Sequence, residues 1–271
     1  RVIGIPKTID NDLMLTDHCP GYASSAKYIA TSCAEMRKDT AVYDVGTITV
    51  VEIMGRHAGW LTAASALARL CGAGPDLIYL PEITFDMDDF LAKVKDIYEK
   101  KGNVFIAVSE GIRYADGKFV SEATTSATDG FGHAQLGGLA VILADYIKKY
   151  TGAKVRGIEY SLLQRCAAHS ASKVDIDEAY KAGVAAIDGA VAGQAAGGVR
   201  AAALDAQGEV AQVKGLALGA GDGHRELLGL GDAVGNRLGH AADLLDAHHV
   251  VGLAGAGHRL QEAVHVGALA P

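Results

Sequence analysis

Along the first 193 residues, short apolar runs alternate with longer segments whose apolar positions recur every three or four residues. Val2-Ile3-Gly4-Ile5 reads as a buried strand that breaks at Pro6 into a polar loop, and a helical stretch follows from about Gly21 to Met36. Thr47 to Ile53 is rich in β-branched residues and predicts a buried strand. Trp60 to Leu70 predicts a helix, Asp76 to Leu80 a strand ending at Pro81-Glu82, and Asp88 to Lys100 a helix that stops at Gly102. Val104 to Val108 is a further strand and leads into Ser109-Glu110-Gly111. The polar, glycine-punctuated stretch Ile112 to Gly132 reads as a surface loop or hairpin. A helix from about Ala134 to Tyr150, a strand near Val155 to Leu163 and an amphipathic helix from Asp175 to Val191 complete the pattern. Strands separated by helices of this length imply βαβ units, hence an α/β fold with a largely parallel sheet and helices on both faces.

Beyond about Gln194 the pattern ends. No aromatic residue occurs after Tyr180, no isoleucine after Ile187 and no serine after Ser172. The remainder is dominated by Ala, Gly, Leu and Val, with a cluster of histidines from His224 onward, and has little from which to pack a core. We therefore expect two regions: 1–193, an ordered α/β region, and 194–271, a poorly ordered or frame-shifted tail. Gly219 to His224 misses the glycine spacing of a dinucleotide loop, and His248-His249 has no metal-ligand spacing, so neither is read as a site.

Composition narrows the class. The 271 residues are 49% hydrophobic and 21% charged, as in soluble globular proteins. A net charge of −7 with no long basic run argues against nucleic acid or an anionic membrane as partner, and no segment has the apolar length of a membrane span. The four cysteines, Cys19, Cys33, Cys71 and Cys166, are scattered without metal-site spacing, which suits reduced thiols in a cytoplasmic protein, and Cys166 reads as a small buried hydrophobe. The chain starts with Arg rather than Met, directly in an apolar run, so we expect it to begin inside a domain.

Four segments place functional side chains just beyond strand ends, where open α/β sheets carry their chemistry. Lys7-Thr8-Ile9-Asp10-Asn11-Asp12 combines one ammonium with two carboxylates. Met54-Gly55-Arg56 lies at a sharp strand-to-helix turn where glycines permit close approach and Arg56 offers a phosphate-binding fork. Glu110 could accept hydroxyl groups, and the stretch Arg156 to Arg165 supplies two arginines nine residues apart, far enough along a strand that they need not serve the same site. Singly, these residues could be a polar turn, a surface ion pair, a helix cap and a solvated strand end. Together, in βα order, they point to a phosphate-handling enzyme acting on a hydroxylated substrate.

The string Pro6-Lys7-Thr8-Ile9-Asp10-Asn11-Asp12 resembles the active-site loop of the 6-phosphofructokinase family, in the form found in its diphosphate-dependent branch. Met54-Gly55-Arg56, Ser109-Glu110, Leu163-Gln164-Arg165 and Cys166 to Ser172 extend the resemblance across roughly residues 1–193. It implies a phosphofructokinase-like fold and transfer of a phosphoryl group from diphosphate to the 1-hydroxyl of fructose 6-phosphate with Mg²⁺, a reversible glycolytic step giving fructose 1,6-bisphosphate. Asp10 would be the base, Lys7 would stabilise the transferring group and Asp12 would organise Mg²⁺–diphosphate. Thr8, Ile9, Asp10, Met54, Gly55, Arg56, Glu110, Leu162, Leu163, Gln164 and Arg165 would line the sugar-phosphate pocket. Arg156 matches an arginine that reaches the sugar phosphate of a neighbouring subunit, which implies a homodimer or homotetramer. The family's glycine-rich donor loop should lie upstream of residue 1. Leu162 and Thr47 replace a His and an Arg common among ATP-dependent members, which fits the diphosphate branch, although some ATP-dependent members carry the same Lys7–Asp12 loop. ATP as donor, and an inactive or regulatory sugar-phosphate-binding subunit, are the alternatives.

Overall fold

The computed structural model describes residues 3–5, 7–13, 18–121 and 138–193, together with two short strands at 202–204 and 210–212. In chain order the elements are α1 (Tyr22–Ala41), β1 (Thr47–Ile53), α2 (Trp60–Ala64), β2 (Leu77–Tyr79), α3 (Met87–Lys101), β3 (Val104–Ser109), α4 (Leu139–Thr151), β4 (Lys154–Glu159), α5 (Leu163–Cys166) and α6 (Lys173–Val191). The short strands β5 (Ala202–Leu204) and β6 (Val210–Gln212) pair antiparallel. The described residues pack as two units, one of 26–167 and the other of 3–25 with 168–193 and β5–β6.

The first of these units is built on a four-stranded, wholly parallel sheet in the order β2-β3-β1-β4. All seven residues of β1 and all six of β3 are buried, as their continuous apolar runs require when both faces are covered. Ile48, Val50, Val104, Ile106 and Val108 meet Phe85, Phe90 and Val94 together with Leu139, Leu143 and Ile147 of α4. Tyr79 packs edge-on against Phe85 and Phe90, which tilt against each other, with ring centroids 5.3–5.4 Å apart. α3 is framed by local signals: the Asp86 side chain accepts from Asp89 N at 2.8 Å, and Gly102 closes it in a left-handed conformation at φ 74°.

Several sequence-based boundaries move. The strand expected to run to Leu163 stops at Glu159, because its neighbour β1 ends at Ile53 and nothing remains to pair with. Tyr160 N makes the last bond, to Glu52 O at 3.1 Å, and Ser161 then turns at φ 44° into α5. The helix from Trp60 tightens to a 3₁₀ helix over Ser65–Cys71, where the Ser65 hydroxyl donates back to Thr62 O at 2.6 Å. α1 runs past Met36 to Ala41, supported by the Thr40 hydroxyl, which donates to Met36 O at 2.8 Å. α4 begins at Leu139, after Gly138 at φ 79°. Of the first apolar run, Ile5 is 46% exposed and Gly4 makes only an isolated bridge, so its described part is not a buried strand. Cys166, read as buried, is exposed on the short α5.

No helix among the described residues is long and apolar enough to cross a membrane. The glycine-rich stretch at 219–224 and the histidines at 248–249 lie outside the described residues, as do residues 122–137 of the expected surface loop.

Candidate active site

In the unit that holds residues 3–25, a single hydroxyl knits the Lys7–Asp12 loop. Thr8 Oγ1 accepts from Asp10 N at 3.1 Å and donates to Asp12 Oδ1 at 2.8 Å. Asn11 takes the left-handed conformation at φ 56° and is buried, so the loop bends sharply between its two carboxylates. Lys7 and Asp12 are exposed, while Ile9 and Asp10 are half-buried. Close to the loop lies Cys19, only 1% exposed, whose thiol feels the Thr8 backbone and the charges of Asp12 and Lys7. Burial pushes that thiol above its ordinary value, so it is a neutral packing group at physiological pH.

In the unit that holds residues 26–167, three of the expected segments leave the carboxyl ends of the adjacent strands β3, β1 and β4. Met54 N donates to Gln164 Oε1 at 3.1 Å, and Gln164 Nε2 donates to Ser161 O at 3.0 Å, so the buried amide braces the end of β1 against the β4–α5 turn. Gly55 N donates to Glu110 Oε1 at 3.3 Å, while Gly55 O accepts from Ser109 Oγ at 2.5 Å and Gly111 N at 3.2 Å. The Gly55 and Gly111 backbones explain why no side chain fits here. Gly55 lies at φ 142°, and a Cβ on Gly111 would stand 2.1 Å from Arg56 O. Met54, Gly55, Arg56, Glu110 and Gln164 are thus one assembly. Leu162 and Leu163 are 55% and 59% exposed beside it, and Arg165 is exposed one turn along α5.

Arg156 is not part of that assembly. It pairs with Thr49 in the sheet register, five residues before Met54, about 16 Å down the strand. Its guanidinium donates to Asp39 Oδ2 at 2.8 Å and to the Tyr43 hydroxyl at 3.1 Å.

Two features escaped the sequence reading. Glu52, a lone carboxylate in the otherwise uncharged β1, is buried, and its Oε2 accepts from Ala140 N at 2.9 Å in the first turn of α4. Burial pushes its carboxyl up to about 7; the like charges of Glu159 and Glu110 add to this, and the amides of Ala140 and Leu139 oppose it. Its one signal was a charge inside an apolar run. The second feature is Arg113, which donates to His57 Nδ1 at 2.6 Å and lies over the Phe119 ring at 4.3 Å, so that a neutral His57 ring carries its proton on Nε2.

A family profile described as phosphofructokinase matches residues 1–190. The chain belongs to the phosphofructokinase family. A pyrophosphate–fructose 6-phosphate 1-phosphotransferase of Xanthomonas campestris pv. campestris strain B100 is 50% identical over 197 residues, covering 70% of this chain and 46% of that protein. An equally named protein of Halomonas elongata is 47% identical over 195 residues, covering 71% of this chain and 46% of its own length. The crystal structure of a pyrophosphate-dependent phosphofructokinase from Marinobacter aquaeolei matches with a TM-score of 0.62 at 34% identity, over 78% of this chain and 50% of that one. The chain therefore spans about half the length of the curated relatives it matches. The α/β phosphofructokinase fold expected from the sequence is the one observed.

Among the described residues no cluster of three or more His, Cys, Asp or Glu side chains could cage a metal ion. Asp12 nonetheless presents an exposed carboxylate held by the Thr8 hydroxyl. A carboxylate so placed suits a hard divalent cation that takes one or two carboxylates and fills its remaining positions with phosphate oxygens and water.

Proposed function

We propose that this chain carries the acceptor-activating part of a phosphotransferase that moves a phosphoryl group from diphosphate to the 1-hydroxyl of fructose 6-phosphate. The observation that carries this reading is the Thr8-knit loop, which holds Asp10 and Asp12 in one bend beside Lys7. The names of the 44–50% identical relatives support the choice of donor and acceptor.

Asp10 takes the proton from the sugar 1-hydroxyl as its oxygen bonds to the terminal phosphorus of diphosphate, and the bridging P–O bond breaks to release phosphate. Lys7, exposed at the start of the loop, brings positive charge to the transferring group. Asp12, its carboxylate fixed by Thr8, would hold Mg²⁺ against the diphosphate, and the ion would offset the charge of the phosphate oxygens. The residues we assign to fructose 6-phosphate binding are Thr8, Ile9 and Asp10 in the one unit and Met54, Gly55, Arg56, Glu110, Leu162, Leu163, Gln164 and Arg165 in the other. Glu110 and Gln164 act partly by holding the backbone of Gly55 and Met54 in place. Arg156, half-buried on the edge strand β4, reaches the sugar phosphate of a second copy in a homodimer or homotetramer. The enzyme works in the cytoplasm.

The test is a coupled assay of the full-length gene product with fructose 6-phosphate and Mg²⁺, offering either diphosphate or ATP. Turnover with diphosphate alone is the expected result. Turnover with ATP alone would overturn the donor assignment, and no turnover with either would favour a sugar-phosphate-binding subunit without catalysis.

A further inference from the structure

We propose that the first two turns of α6 position the Lys7–Asp12 loop, and that Glu178 is a positioning residue for phosphoryl transfer. The inference builds on the loop's proposed role, and the observations behind it concern a different part of the chain.

Glu178 is 4% exposed and its Oε2 lies 2.7 Å from Nε2 of His18, which is 5% exposed. A carboxylate so far from water is tolerated only when it is paired, so this contact, spanning 160 residues of sequence, fixes where His18 sits. One turn earlier, on the same face of the helix, Asp175 accepts from Ser24 N at 2.6 Å and from the Ser24 hydroxyl. The Ser24 hydroxyl in turn accepts from Ser172 N at 2.9 Å, so the N-termini of α1 and α6 cap one another. α6 therefore grips the segment 18–24 at both ends.

What that segment carries is Cys19. Its thiol, buried directly after His18, lies close enough to the loop to feel the Thr8 backbone and the charges of Asp12 and Lys7, and the Thr8 hydroxyl holds both Asp10 N and the Asp12 carboxylate. The bonds inside the loop reach across only two and four residues. They set its internal shape and leave its placement to whatever it rests on. The line of contact runs from Glu178 to His18, to Cys19, to Thr8, and so to the base and its neighbouring carboxylate. A shift at Glu178 changes where Asp10 stands without removing any group that touches substrate. Misplacement of a general base lowers the chemical step and spares binding.

The experiment compares Glu178→Ala with Glu178→Gln in the full-length protein. The alanine variant breaks the contact; the glutamine variant keeps an acceptor at the same place. Glu178→Ala is expected to lower kcat roughly 10- to 100-fold with KM for fructose 6-phosphate within about twofold, and Glu178→Gln to restore kcat to within about threefold of the parent. Iodoacetamide labelling followed peptide by peptide reads the loop without turnover, with the exposed Cys71 and Cys166 as internal standards. Cys19 alkylation should accelerate at least about tenfold in Glu178→Ala and remain slow in Glu178→Gln. A folded Glu178→Ala protein with parental kcat and slow Cys19 labelling would overturn the proposal, whatever its melting temperature. If the alanine variant does not fold, Glu178→Asp withdraws the carboxylate by one methylene; parental kcat and parental labelling there would overturn it equally. Should the parent itself show no turnover, the functional reading fails, and the Cys19 labelling rate still decides whether α6 holds the loop.

Discussion

Replacing Glu52 by Gln should flatten the pH dependence of stability between pH 5 and 8. Glu52 is buried on the central strand, accepts from Ala140 N, and faces the like-charged Glu159 and Glu110 together with the first amides of α4. Its carboxyl is raised from the ordinary 4.5 to about 7 in the folded chain. The folded state therefore binds a proton more tightly than the unfolded state does. The associated stability is fully present below about pH 4.5 and is lost as pH rises through about 7. At about 1.4 kcal/mol per pH unit, this one group removes about 3 kcal/mol across that window. Glutamine has the same shape, keeps an oxygen for Ala140 N, and never ionises. Urea unfolding of parent and Glu52→Gln at pH 5, 6, 7 and 8 isolates the effect, because every other titration is common to both proteins. The stability difference should move by about 2–3 kcal/mol in favour of Glu52→Gln from pH 5 to 8. Parallel curves would refute the argument and would mean that Glu52 ionises in the fold at an ordinary pH.

Asp10→Asn in the full-length protein should leave the fold and fructose 6-phosphate binding intact while kcat falls roughly 10²–10⁴-fold, and unchanged turnover would remove Asp10 from the role of base. Lys7→Gly should cost roughly 10²-fold in diphosphate-dependent turnover with little change in KM for the sugar phosphate; equal losses in both would contradict its assignment to the donor. Gly111→Ala puts a methyl 2.1 Å from Arg56 O, and should cost about 1–3 kcal/mol in urea unfolding and weaken fructose 6-phosphate binding measured by calorimetry. Parental stability would show that the turn after β3 has room to move.

Local chemistry in the sequence determined the buried strands β1 and β3, the helices between them, and the candidate motifs at the ends of β1, β3 and β4. A β-branched apolar run, a capping Asp86 or a closing Gly102 acts on its immediate neighbours, so each can be read without knowing the rest of the chain. The lysine and paired carboxylates of the Lys7–Asp12 loop were legible for the same reason. Tertiary structure decided which strand lies beside which, and with it where elements stop. β4 ends at Glu159 because β1 runs out, a fact no property of Tyr160 to Leu163 contains. It also decided the partners of buried polar groups. Glu52 meets the backbone of Ala140 across 88 residues and His18 meets Glu178 across 160, and in neither pair does the sequence around one member point to the other. Burial makes those contacts obligatory, and burial comes from the packing of distant segments, not from any neighbour in the chain.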